Sequence, residues 1–179
     1  SGRSSKSFRE EGHWQKVYSA LKPGDYVFIM FGGNDQKPDS ARHTEPFTSY
    51  KQNMKRYVEE TKSKGAYPVL FTSIVRRKFD KQGKLVDTYG DYTLAVKDLA
   101  EEMRVPMVDL NLETGKLLQQ YGPEESKKLF LYIEPGAFTA LPQGKKDDSH
   151  LSVEGARAVA GLAVKGLKDI GLPLSKYLK

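Results

Sequence analysis

Residues 22–38, KPGDYVFIMFGGNDQKP, constrain the fold more than any other part of the chain. A Pro23-Gly24 turn signal leads into residues 25–31, an almost unbroken run of β-branched, aromatic and apolar side chains. Such a run predicts a strand buried on both faces, as in a parallel sheet covered by helices. It stops at Gly32-Gly33-Asn34-Asp35, small and polar. Ligands of open α/β sheets bind at the carboxyl edge, where a parallel strand passes into a loop. An Asn34 amide at that edge, with glycines permitting close approach, can donate a hydrogen bond to a developing negative charge. The same four residues also suit a plain turn.

Strand and helix signals alternate around this stretch. Trp14, Val17, Tyr18 and Leu21 share one face of an amphipathic helix over residues 9–21. Pro46 fits the first turn of a helix on which Phe47, Tyr50, Met54, Tyr57, Val58 and Thr61 recur at helical spacing, with Gly65 as its stop. Residues 67–75 predict a second buried strand ending at Arg76-Arg77-Lys78, and residues 80–83, DKQG, a loop or short hairpin. A helix over 92–103, a strand over 105–110, and two short helices broken at Gly122-Pro123 follow. Residues 132–148 carry Pro, Gly and charge without a period and predict a long loop, of the kind that is functional or mobile in compact domains. The last helix spans about 153–170, capped by Ser152 and ended by Gly171 and Pro173, with Ala156, Val159, Ala160, Ala163, Leu167 and Ile170 turned to the core. The class is therefore α/β with a parallel sheet, in one domain over residues 1–179.

Composition narrows the chemistry. The chain has no Cys, which excludes disulfides, thiol catalysis and zinc–thiolate sites, and its three His argue against a polyhistidine metal site. No apolar run approaches the ~20 residues that span a bilayer, so no membrane partner is expected. The net charge of +6 suits an anionic partner. Its Lys and Arg are spread along the chain, without the clustering of a nucleic-acid footprint, so no nucleic acid is expected. The chain opens without an initiator Met, so Ser1 is not expected to be where the gene begins. Secreted, periplasmic and cytoplasmic locations are all compatible with this composition.

Asp147-Asp148-Ser149-His150 stands just ahead of the last helix. A carboxylate three residues before a histidine can fold back onto one imidazole nitrogen and hold the other as a base toward a nucleophile. A helix-capping cluster is the competing reading, since Asp and Ser are favoured before a first turn. As metal ligands, two carboxylates and one His in one turn are sparse. Gly2 can offer a backbone N–H as a second oxyanion donor. Arg76, Arg77, Lys78 and Arg3 are candidates for contacting an acidic substrate. His13 reads as a surface or edge histidine, and His43 has no partner visible in the sequence.

Taken in order, SGRSSKSF at 1–8, KPGDYVFIMFGGNDQKP at 22–38, VRRKFD at 75–80, DDSHLSVEGARAVA at 147–160 and the closing GLPLSKYLK at 171–179 resemble the SGNH (GDSL-type) hydrolases, and within them the rhamnogalacturonan acetylesterase-like enzymes. The resemblance implies a three-layer α/β/α sandwich of the flavodoxin-like kind with about five parallel strands. It implies cofactor-free, metal-free removal of acetyl groups from pectic polysaccharide or oligosaccharide by a serine acyl-enzyme route. On it, Gly2 and Asn34 match the oxyanion-hole donors, Asp147 the orienting acid and His150 the general base. Arg76, Arg77, Arg3 and Gly33 fall on the substrate side, although many relatives carry His where Gly33 stands. The Gly-Asp-Ser block that ends the family's first strand and supplies the nucleophile has no counterpart in these 179 residues. The N-terminal strand is thus expected to be missing from this chain, and the chain alone to be inactive. A companion N-terminal fragment or a strand-exchanging partner would complete it. The alternative implied is a non-catalytic pseudoenzyme that binds acidic glycans.

Overall fold

A computed structural model describes residues 2–178. The backbone sorts into two compact units, one formed by the chain up to Ser73 with Tyr89–Asp109, the other by Ile74–Thr88 with the chain from Leu110.

The first unit holds a parallel sheet of β1 (Tyr26–Ile29), β2 (Tyr67–Phe71) and β3 (Met107–Val108), in that order across the sheet. Tyr26 stands opposite Tyr67, and Leu70 opposite Met107. Parallel neighbours need long crossovers, and α3 (Lys51–Ser63) and α4 (Asp91–Met103) supply them. Ahead of β1 come α1 (Ser7–Glu10) and α2 (His13–Ala20). Alternate strand residues face one side of a sheet, so Ile29 and Leu70 meet Trp14 of α2, Met54, Tyr57 and Val58 of α3, and Val96 and Leu99 of α4 in one core. Pro46 opens a π-helical turn, Pro46–Tyr50, that runs into α3. The α/β class and the parallel sheet expected from the sequence are what the chain adopts.

The pivotal strand differs from its expectation in burial. Phe28 is 50% exposed and Met30 47%, while Ile29 on the opposite face is 3% exposed. Among the described strands β1 pairs with β2 alone and forms one edge of the sheet. An apolar run predicts a fully buried strand only when both faces are covered; Phe28 keeps half of its surface exposed although its ring meets that of Phe71, at 5.2 Å between centroids. Three described strands are parallel; the other two form an antiparallel pair in the second unit.

That unit contains α5 (Leu110–Glu125), interrupted at Gly122 with φ +71° just before Pro123, where the sequence placed a break. A 3-10 turn, Ser126–Leu129, leads into β4 (Phe130–Ile133), which pairs with β5 (Lys145–Leu151). The loop expected over 132–148 is therefore the tip and second strand of a hairpin. β5 reads KKDDSHL, with no apolar alternation to reveal it. Next comes α6 (Val153–Asp169). Ser152 caps it as expected: its Oγ accepts from Gly155 N–H at 3.1 Å and donates to the Lys128 carbonyl at 2.6 Å. Gly155 is buried so closely that a Cβ there would lie 1.9 Å from the Leu129 carbonyl oxygen. This pinned first turn sets the helix's rotation. Gly155 and Leu167 are buried and Ala158, Val159 and Leu162 half-buried, while Ala156, Ala160 and Ile170, expected in the core, are exposed.

Candidate active site

The hairpin explains how an Asp-x-x-His sequence becomes a chemical pair. Phe130 stands opposite Leu151 and Leu131 opposite Asp147, so Asp148, Ser149 and His150 have no opposite number on β4 and loop out as a bulge. Bulges re-aim side chains that a regular ladder would fix. Here the Asp147 carboxylate folds back into its own turn. Oδ1 accepts the backbone N–H groups of Ser149 and His150, both at 2.9 Å, and Oδ2 accepts from His150 Nδ1 at 2.8 Å. Lys145 Nζ approaches Oδ2 at 3.0 Å. Asp147 is 13% exposed and the His150 side chain 76%. Burial pushes the Asp147 carboxyl up, but the two backbone donors, Lys145 and His150 outweigh it and hold the group well below the usual carboxylate range. Asp147 thus caps no helix, and that task falls to Ser152. With Nδ1–H held by a carboxylate, the His150 imidazole presents Nε2 as the basic nitrogen.

The bulge is tied down from Arg77. Its backbone N–H donates to the Asp148 carbonyl at 2.8 Å. Its Nη1 donates to Asp148 Oδ1 at 2.6 Å and to Tyr132 Oη at 3.0 Å, and its Nη2 to the Pro123 carbonyl. Tyr132 Oη in turn donates to the same Asp148 oxygen at 2.7 Å. The Arg77 side chain is only 11% exposed. Its backbone N–H, Nη1 and Nη2 donate within the unit and tie down the bulge, while Nε is buried without a partner among the described residues; the sequence, which placed Arg77 on the substrate side, gave no sign of these contacts. Arg76 is half-buried and donates Nη1 to the Thr88 carbonyl at 3.3 Å.

The first unit brings together the other two expected residues. Gly2 is exposed and takes φ +77°, a conformation that favours glycine, with no atom within 4 Å of where a Cβ would stand. Asn34, half-buried, donates Nδ2 to the carbonyl of Arg3, next to Gly2, at 3.3 Å. Gly32, at φ +133°, lets the chain turn where a Cβ would come within 3.0 Å of Ser73 Oγ, and the preceding Phe31 carbonyl accepts from Tyr50 Oη at 2.9 Å and Ser73 Oγ at 2.8 Å. The Arg3 guanidinium pairs with Glu11 at 2.6 Å. Ser4, Ser5 and Ser7 are buried and hydrogen-bonded, Ser4 to Ser7 and Ser5 to Asp35; Ser1 lies outside the described residues. His13 also pairs with Glu11, at 3.1 Å. His43, without a visible partner in the sequence, meets Glu45 at 3.0 Å and the Lys37 carbonyl at 3.1 Å, and Glu45 above all raises its pKa. Among the described residues no group of three or more His, Cys, Asp or Glu is arranged to hold a metal ion, and no helix is long and apolar enough to cross a membrane.

The profile of the GDSL-like lipase/acylhydrolase family matches residues 1–158. Rhamnogalacturonan acetylesterase RhgT of Bacillus subtilis (strain 168) is 42% identical over 177 residues, 99% of this chain and 75% of its own length. Probable rhamnogalacturonan acetylesterase YesY of the same organism is 35% identical over 178 residues, 99% of this chain and 77% of its own. The crystal structure of protein YxiM from Bacillus subtilis superposes with a TM-score of 0.79 at 28% identity, covering 96% of this chain and 44% of that one.

Proposed function

The chain belongs to the GDSL-like lipase/acylhydrolase family, and from that premise we propose that it removes O-acetyl groups from a pectic, rhamnogalacturonan-type polysaccharide or oligosaccharide by a serine acyl-enzyme mechanism. The observation that carries this reading is the 2.8 Å bond between Asp147 and His150 Nδ1 on an exposed bulge. Asp147, ionised and bonded to its own turn, fixes the imidazole tautomer and stabilises the imidazolium formed when Nε2 takes the proton of an attacking hydroxyl. The Gly2 N–H and the Asn34 amide stabilise the tetrahedral oxyanion, and one such donor is typically worth ~10²–10³ in turnover. The imidazolium then returns its proton to the leaving sugar oxygen, and water repeats the sequence to release acetate. No cofactor or metal takes part.

The attacking serine is supplied from outside these 179 residues, because the described serines near Gly2 are buried and bonded. The free edge of β1, with Phe28 and Met30 half-exposed, suits a further strand from a companion segment that carries it. Without that segment the 179-residue chain is inactive, and the two units together make a single hydrolase domain. A pectic substrate is supported by two relatives named as rhamnogalacturonan acetylesterases, one of them a probable one, and by a net charge of +6. Acetate release by the intact gene product from acetylated rhamnogalacturonan, compared with acetylated xylan and a long-chain lipid ester, tests this. Preference for the pectic substrate is expected, and turnover of the lipid ester alone would refute the substrate class. The buried serines also favour a second reading, a non-catalytic acidic-glycan-binding pseudoenzyme. It predicts saturable binding of the same oligosaccharide with no acetate released.

A further inference from the structure

Asp35 follows Asn34 in sequence and has no exposed surface. Its carboxylate receives donors from three separate segments. Ser5 N–H reaches both oxygens at 3.1 Å and Ser5 Oγ–H reaches Oδ1 at 2.5 Å. Gly32 N–H donates to Oδ2 at 3.1 Å and Thr44 Oγ–H to Oδ1 at 2.9 Å. All these donors are neutral. Its main-chain carbonyl accepts from Thr44 N–H and from Tyr92 Oη, both at 3.1 Å. Ser5 is further secured from α3, its carbonyl accepting from Tyr57 Oη at 2.7 Å and its hydroxyl lying 3.3 Å from Asn53 Nδ2.

A buried carboxylate is an expensive way to join three loops, since burial raises its pKa against everything its donors do. An ionised carboxyl is nevertheless the side chain that presents only acceptors on both of its oxygens. An amide of the same shape would turn an NH₂ group toward N–H and O–H donors. The loops it joins are the ones that carry Gly2 and Asn34: Ser5 stands three residues after Gly2, and Gly32 immediately precedes the turn over residues 33–36 that holds Asn34. The Asn34 side chain itself bonds the Arg3 carbonyl between them.

We infer that Asp35 is a positioning residue, whose carboxylate sets the distance and direction of the Gly2 and Asn34 donors for the oxyanion. The inference rests on the ester-hydrolase reading above. Oxyanion donors act through fixed geometry, and displacements near 1 Å at a reacting centre cost on the order of 10²-fold in rate.

The test uses the intact gene product and its Asp35→Asn, Thr44→Ala and Thr44→Ser variants. Competent sites are counted by titration with a serine-directed fluorophosphonate, and kcat per titrated site and KM are measured on a small acetyl ester. Asp35→Asn is expected to lower kcat per site by roughly 10²-fold with KM nearly unchanged. Thr44→Ala, which leaves the carboxylate in place and removes one donor, is expected to lower it by a few-fold, and Thr44→Ser to restore it. A residue that only holds the fold together would change the number of titratable sites and leave each site's rate alone. Should Asp35→Asn not fold, the Thr44 pair decides. Unchanged kcat per site in the folded variants, with active wild type, overturns the inference alone. A wild-type protein that neither turns over the ester nor takes the label overturns the hydrolase reading, and this inference with it.

Discussion

Replacing Gly155 by alanine should destabilise the protein, while the same replacement at Gly161, two turns along α6, should stabilise it. A Cβ at position 155 would lie 1.9 Å from the Leu129 carbonyl oxygen, 2.7 Å from its carbon and 3.0 Å from its Cα, all backbone atoms that cannot swing aside. The first turn of α6 must then retreat by roughly an ångström to restore ordinary contact. Two hydrogen bonds cross that gap, Ser152 N–H to the Leu129 carbonyl at 3.1 Å and Ser152 Oγ to the Lys128 carbonyl at 2.6 Å. Their loss costs about 2 kcal/mol together. Overpacking adds about 1–3 kcal/mol, and the better helix propensity of alanine returns about 1 kcal/mol. The net loss is about 2–4 kcal/mol, or roughly 5–15 °C in Tm for a chain of this size. At Gly161 no atom lies within 4 Å of the added methyl, so only the propensity gain of about 1 kcal/mol applies, raising Tm by about 2–4 °C. Urea titrations followed by far-UV circular dichroism give both values if the slopes match wild type. The retreat also drags the His150 bulge, three residues upstream of the start of α6, and should slow ester hydrolysis in the first variant only. Equal shifts of the same sign in the two variants would refute the reasoning, because propensity alone would then account for both.

Three further outcomes follow from the site. Asp147→Asn removes a carboxyl whose pKa is lowered by folding, so wild type should exceed the variant in stability above the unfolded value near 4, and the difference should fade as pH drops below it; denaturant midpoints between pH 7 and pH 2.5 measure this. Arg77→Met frees the bulge from its anchor, and kcat should fall about 10–10²-fold with KM for a small acetyl ester nearly constant, whereas a substrate contact would appear in KM. Arg76→Ala should raise KM more for an acidic acetylated oligosaccharide than for a small neutral ester, and steady-state kinetics with equal effects on both would remove Arg76 from the acidic-sugar contact.

What could be read in the sequence was what periodicity and local turn chemistry encode. The helices α2, α3 and α4, the break at Gly122-Pro123, the Ser152 cap and the parallel β1 and β2 all announce themselves in apolar spacing or in Gly and Pro. β5 could not be read this way, because a hairpin strand made of KKDDSHL has no buried face for a pattern to mark. The bulge at residues 148–150 left no mark in the sequence for the same reason, although the spacing of Asp147 and His150 suggested their pairing. The roles of Arg77 and Asp35 depend on partners 71 and 30 residues away, a separation at which no local signal exists. A buried aspartate with all its acceptors filled looks, in sequence, like one more polar turn residue after Asn34. The exposure of Phe28 and Met30 shows the converse limit: an apolar run records that a strand can be covered, and says nothing of what covers it.

The most direct test of the account is fluorophosphonate labelling of the intact gene product and its His150→Ala variant, with the modified residue located by peptide mass analysis. The account predicts one label per wild-type molecule, on a serine outside these 179 residues, and a labelling rate lower by about 10⁴-fold in the variant. Undiminished labelling of His150→Ala, or a label on a serine within the 179 residues, would contradict it.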